Sequence, residues 1–134
     1  MTAGGGVSKK QWRWTEVDPW GHSVSCDEET WAEKAAERIE LPLHEEGVRA
    51  TIRDPDQVYF DAASTARRAL LGRANVRFVH YVSTGRLSQK WTGTYLVVVV
   101  KWLAEDDAVR GYVQTMYASN RILPRLQLFW SRQS

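Results

Sequence analysis

The side chains able to move protons or hold phosphate gather in the second half of the chain. His80 and Tyr81 are neighbours in a stretch of alternating residue types, and Arg77 precedes them. Thr115 and Tyr117 share one face of a second such stretch, and Arg121 follows it. Arg86, Lys90 and Trp91 form a basic and aromatic loop between the two, and Lys34 comes earlier. Imidazole and phenol trade protons, while guanidinium and ammonium groups stabilise developing negative charge. A basic loop with an indole can track a phosphate backbone and stack a base. Every one of these residues also has an ordinary alternative. His80 alternates with Val76, Phe78 and Val82 and suits a satisfied core histidine. Tyr81 and Tyr117 suit cross-strand packing, and the Lys34 stem can cover apolar surface near Trp31. Arg77 and Arg121 suit solvated charges, and the loop an exposed hairpin tip.

Other chemistries lack their residues. His22, His44 and His80 are widely spaced, and no pair has helical metal-ligand spacing. The single Cys26 makes no internal disulfide and no cysteine zinc site. Beside a helix start its thiol could be activated, but a small buried residue closing a strand is the simpler account. There is no GxGxxG, glycine-rich phosphate loop, HExxH or GxSxG. The chain is therefore expected to use no metal and no cofactor. The longest strongly apolar run, residues 95–100, is far short of the roughly 20 residues of a membrane span. Residues 1–10 lack the apolar core of a secretory signal. The expected compartment is the cytoplasm, with no membrane partner.

These residues need a scaffold, and 134 residues with 43% apolar and 25% charged side chains suffice for one domain. That composition excludes a mainly disordered or fibrous chain. The net charge of +2 hides an asymmetry. Residues 1–60 carry seven Lys/Arg against twelve Asp/Glu, and residues 61–134 carry eleven against four. A basic C-terminal half suits polyanions. Seven tryptophans exceed what a core of this size needs; Trp12, Trp14 and Trp20 are candidates for a sheet cap or a homodimer contact.

Residues 1–10, with Gly4-Gly5-Gly6, read as a flexible lead, and residues 11–134 as a single domain. A short strand is expected over 22–26. Ser25 and Glu28 form a capping box for a helix over 27–40, with Trp31, Ala35 and Ile39 on one stripe. A second helix covers 45–53, with Val48 and Ile52 on its apolar face, and Asp54-Pro55-Asp56 ends it. Residues 57–60 read as a strand, and 61–74 are open between helix and loop. Strands follow over 75–83, 94–102, 109–117 and 126–130. Helices first and strands afterwards predict an α+β domain: N-terminal helices on one face of a four- or five-stranded antiparallel sheet.

A string of residues adds a family likeness. His22-Ser23-Val24 precedes Asp27-Glu28-Glu29-Thr30-Trp31 and Glu33-Lys34-Ala35. Then come Val48-Arg49-Ala50-Thr51-Ile52, Asp54-Pro55-Asp56-Gln57-Val58-Tyr59, His80-Tyr81 and the apolar strand at 95–100. Gly111-Tyr112-Val113-Gln114-Thr115-Met116-Tyr117 and Trp130 complete it. In this order the residues resemble the small phage- and toxin-associated nuclease-fold domains of the barnase–EndoU–colicin–RelE-like class. The likeness covers residues 20–131. It departs where such domains carry a first-helix histidine in a His-Pro-Glu-Leu stretch, because Arg38-Ile39-Glu40-Leu41 stand here. A paired Tyr-Tyr is replaced by His80-Tyr81.

The resemblance implies a RelE-like sheet and a toxin-like, metal-independent endoribonuclease. Arg77, Arg121 and Lys34 would stabilise phosphate charge. His80 or Tyr81 would serve as base or acid, with Thr115 and Tyr117 assisting. Arg86, Lys90 and Trp91 would hold nucleic acid. The implied partners are RNA and a small acidic, antitoxin-like protein. The lost histidine favours a rival of another class, a catalytically silent module that binds nucleic acid or protein on the same fold.

Overall fold

A computed structural model describes residues 11–38, 40–70, 76–87, 94–105 and 108–132. The chain opens with strands β1 (Trp12–Val17) and β2 (Ser23–Asp27), joined through Asp18-Pro19-Trp20-Gly21. Helices α1 (Glu28–Glu37), α2 (Glu40–Leu43) and α3 (Glu45–Arg53) follow. Then come β3 (Gln57–Phe60), α4 (Ala62–Leu70), β4 (Val76–Ser83), β5 (Tyr95–Glu105), β6 (Ala108–Ser119) and β7 (Gln127–Ser131).

Among the described residues, seven strands form one sheet in the order β1-β2-β6-β5-β4-β3-β7. This corrects the expected four- or five-stranded antiparallel sheet with helices leading the chain. The sheet is mixed, because β2 runs parallel to β6 through Ser23–Ser25 and Arg110–Tyr112. Strand β1 lies outside the expected elements; in it Trp14 and Glu16 alternate inward, with Asp18 following in the turn. A register shift at Trp12/Trp14 breaks that alternation at its start. Gly111 permits the parallel junction, since a Cβ there would stand 2.9 Å from both Val24 and Val100 side chains.

The strand register sorts the residues onto two faces. The first, here the helix face, carries Trp14, Val24, Cys26, Val58, Val79, Tyr81, Leu96, Val98, Val100, Val113 and Met116. Trp31 of α1, Leu41 of α2 and Val48 and Ile52 of α3 complete that core. The cap of α1 is Asp27, whose Oδ1 accepts from the Thr30 amide at 2.6 Å, and not Ser25, which lies in β2 with its Oγ 2.8 Å from Thr15 Oγ1. Glu28 and Glu29 then face the positive helix end. The α3 helix spans the residues expected of it and is fixed by Thr51 Oγ1, 2.5 Å from Ser83 Oγ. The opposite face gathers Val76, Phe78, Val82, Val97 and Val99, with Tyr59, Tyr95, Leu103, Tyr117 and Ile122 packed against them. Ile122 belongs to the β6–β7 connection, which folds back over this second face. The four valines at 97–100 thus serve two cores alternately. No helix among the described residues is long and apolar enough to cross a membrane.

Candidate functional site

The second face holds a cluster built on β4 and on the junction between β3 and α4. Where β3 ends, Asp61 caps α4: its Oδ1 accepts from the Ser64 amide at 3.1 Å and its Oδ2 from Ser64 Oγ at 3.0 Å. The Phe78 amide donates to Thr65 Oγ1 at 3.0 Å, which ties α4 to β4. His80 then points at the cap, with Nε2 3.5 Å from Asp61 Oδ2. From the β6–β7 connection Arg125 reaches the same oxygen at 3.1 Å. Asp61 and His80 are buried, whereas the Arg125 side chain is 53% exposed.

Burial disfavours an ionised Asp61, but the Ser64 amide and hydroxyl and the Arg125 guanidinium together outweigh it. The carboxyl is held below its ordinary range. Burial depresses His80, and the field of Arg125 adds to this, against the opposing pull of Asp61. The imidazole is therefore neutral at pH 7. A neutral ring facing a carboxylate through Nε2 carries its proton there, which leaves Nδ1 as the acceptor. His80 Nδ1 is buried and has no hydrogen-bond partner among the described residues. Trp14 Nε1 and His22 Nδ1 share that condition.

Tyr117 lies on the same face: it pairs with Val97, itself opposite Val82. Burial raises its phenol, against the fields of Arg125 and Arg38, so the hydroxyl keeps its proton. Thr115 pairs with Val99, which pairs with His80. Arg121 is exposed, and its amide donates to Ser119 Oγ at 3.3 Å. His80, Tyr117 and Thr115 are thus brought to one face, and Arg121 follows β6 in the connection to β7.

The other expected site residues lie elsewhere. Tyr81 projects from the helix face with 0% exposure. Its hydroxyl donates to Asp18 Oδ2 at 2.7 Å and accepts from Trp102 Nε1 at 3.0 Å. Burial, then the Asp18 charge, raise its pKa far above that of a free phenol, so it is no base. Asp18 Oδ1 also accepts from the Trp20 and His22 amides at 3.0 and 2.8 Å. Arg77 shares the helix face, with its guanidinium 6.0 Å from the Phe60 ring centre. Lys34 sits in the last turn of α1, 3.7 Å from Glu37. Arg86 donates to the Asp54 carbonyl at 2.9 Å and to Asp54 Oδ2 at 3.1 Å, in a clamp completed by Arg132. Lys90 and Trp91 lie outside the described residues. Burial pushes the Cys26 thiol up to about 12, which removes it as a nucleophile.

Two members of the cluster are absent from the expected set. Asp61 stands three residues before Ser64, a helix-start signal inside a segment left open between helix and loop. Arg125 carries no local signal. Among the described residues no three His, Cys, Asp or Glu side chains converge to hold a metal ion. Compared with protein-family models, curated proteins and solved structures, the chain matches none.

Proposed function

We propose that this protein is a metal-independent endoribonuclease whose site is the Asp61–His80–Arg125–Tyr117 cluster. The observation that carries the reading is the neutral His80, oriented by a carboxylate at Nε2 and left without a partner at a buried Nδ1 among the described residues. Nδ1 takes the proton of a ribose 2′-hydroxyl, whose oxygen attacks the adjacent phosphorus. The P–O5′ bond breaks, and the leaving oxygen takes the Tyr117 proton. Arg125 offsets the extra charge on the phosphorane oxygens. Asp61 is a positioning residue, fixing the tautomer and ring angle of His80. Because the imidazole is buried, substrate has to displace what covers it. Arg125 is the partner able to move: a phosphate competes with Asp61 for its guanidinium and draws it outward.

The test is cleavage of labelled RNA in EDTA by the full chain. His80→Ala should lose at least about 100-fold in rate, while Tyr81→Phe, on the other face, should remain within about twofold of wild type. Wild-type protein that is folded but leaves RNA intact, or a folded His80→Ala variant that cleaves normally, would overturn the reading.

The burial of His80 and Asp61 favours a second reading, a silent module whose basic C-terminal half binds RNA or a small acidic protein without cleavage. RNA retained by wild-type protein but left uncut would select it.

A further inference from the structure

A cleft of about 370 Å³ opens on the helix face, away from the His80 cluster. Phe60, Arg77, Val79, Trp102, Leu128 and Phe129 line it. The volume lies at the lower end of small-ligand sites. Its lining is apolar and aromatic apart from Gln127 and Arg77.

Two walls are set before any ligand arrives. The Trp102 indole is held by its bond to the Tyr81 hydroxyl and by edge contacts with His22 at 5.0 Å and Phe129 at 6.0 Å. Phe129 is in turn braced edge-on by Trp20 at 5.5 Å. On the opposite wall the Arg77 guanidinium lies over Phe60. No carboxylate among the described residues pairs with Arg77. Leu128 and Phe129 remain 56% and 54% exposed, a large apolar surface for a strand at the end of a sheet.

We propose that this cleft is a binding site for a small aromatic acid: a flat ring system bearing one anionic group. The rings fill the space between Trp102, Phe129 and Phe60, and the anion meets Arg77. Aromatic walls favour flat apolar groups through area burial and edge-to-face contact. Arg77 is exposed to solvent and has no carboxylate partner among the described residues, so its guanidinium is free to engage one carboxylate or sulfonate through two parallel bonds. Because the walls are already fixed, little side-chain freedom is lost on binding. The site lies across the sheet from His80 and does not depend on the nuclease reading.

The probe is anilinonaphthalene sulfonate, a two-ring anion whose fluorescence rises in apolar surroundings, titrated into the full chain. We expect saturable binding at one equivalent. Arg77→Ala should weaken it by about tenfold or more, the loss of one charge-assisted contact. Arg77→Lys, which keeps the charge but loses the paired bonds, should fall between wild type and Arg77→Ala, and Phe129→Ala should reduce affinity. Neutral phenylnaphthylamine should bind about tenfold more weakly than the sulfonate and should not respond to Arg77→Ala. Urea midpoints of the variants report whether they are folded. Several equivalents bound, or equal affinity in wild type and a folded Arg77→Ala protein, overturns the proposal.

Discussion

Asp18 and Asp61 are buried carboxylates on opposite faces of one sheet, and each has a histidine nitrogen within 3.5 Å. Their partners differ in kind. Asp18 is enclosed by two backbone amides and the Tyr81 hydroxyl, itself sealed under Trp102. The carboxylate oxygens are thus bonded on both sides, although His22 Nδ1 beside them has no hydrogen-bond partner among the described residues, and they fix the β1–β2 turn to the centre of the sheet. Asp61 is bonded to Ser64, which belongs to its own helix start, and to Arg125, which is half in solvent. His80 at Asp61, like His22 at Asp18, keeps a buried ring nitrogen without a hydrogen-bond partner among the described residues, so the contrast lies in the other partners. Similar burial therefore meets different partners: one carboxylate is bonded to turn amides and a buried phenol, and the other faces an imidazole beside a half-exposed guanidinium.

The largest effect should come from breaking the Asp18 network. Asp18→Ala strands the buried Tyr81 hydroxyl, leaves the part-buried Trp20 and His22 amides without their acceptor, and should cost about 3–5 kcal/mol in urea unfolding. A loss below about 1 kcal/mol would mean that the two networks do not differ as described.

A smaller effect reads the His80 environment by pH. The folded pKa of His80 lies below its ordinary value of 6.5. The unfolded chain therefore binds the proton first on acidification. The stability His80 contributes is complete above pH 6.5 and is lost as the pH falls toward the folded value. The slope for one proton is at most about 1.4 kcal/mol per pH unit. Asp61 is also depressed, but its contribution is lost only below the ordinary carboxyl value of 3.8. Urea midpoints from pH 8 to 5 should fall more for wild type than for His80→Gln. Parallel curves would place the imidazole in water.

The smallest effect should come from the movable cation. Arg125→Ala removes a half-exposed partner and should change stability by no more than about 1 kcal/mol. Calorimetry checks this, and a larger loss would make Arg125 a structural clamp like the Asp18 partners.

Much of the scaffold was legible locally. Alternation in β4 and β6, the apolar run in β5 and the Val48/Ile52 stripe of α3 announce those elements. The strand at 57–60 ends where β3 does. What was illegible is long-range. Tyr81 looked like a reactive phenol because its acceptor, Asp18, lies 63 residues away. The two-residue period places Arg77 with Tyr81 and His80 with Phe78, but it does not reveal that the catalytic candidates divide between faces of different character. The mixed sheet stayed hidden for a related reason: a parallel partner leaves no turn in the sequence. In β1 the register shift at Trp12 obscured the alternation that Trp14 and Glu16 keep.

The parallel seam between β2 and β6 also constrains the order of folding. Strands β4, β5 and β6 pair as sequence neighbours, whereas Ser23–Ser25 must wait for Arg110–Tyr112 to be made and presented. Closing so long a loop is entropically slow. The three-stranded C-terminal meander is thus the natural nucleus, with the β1–β2 hairpin docking late against Gly111. On a ribosome, β1 and β2 would be made well before β6 and yet settle after it.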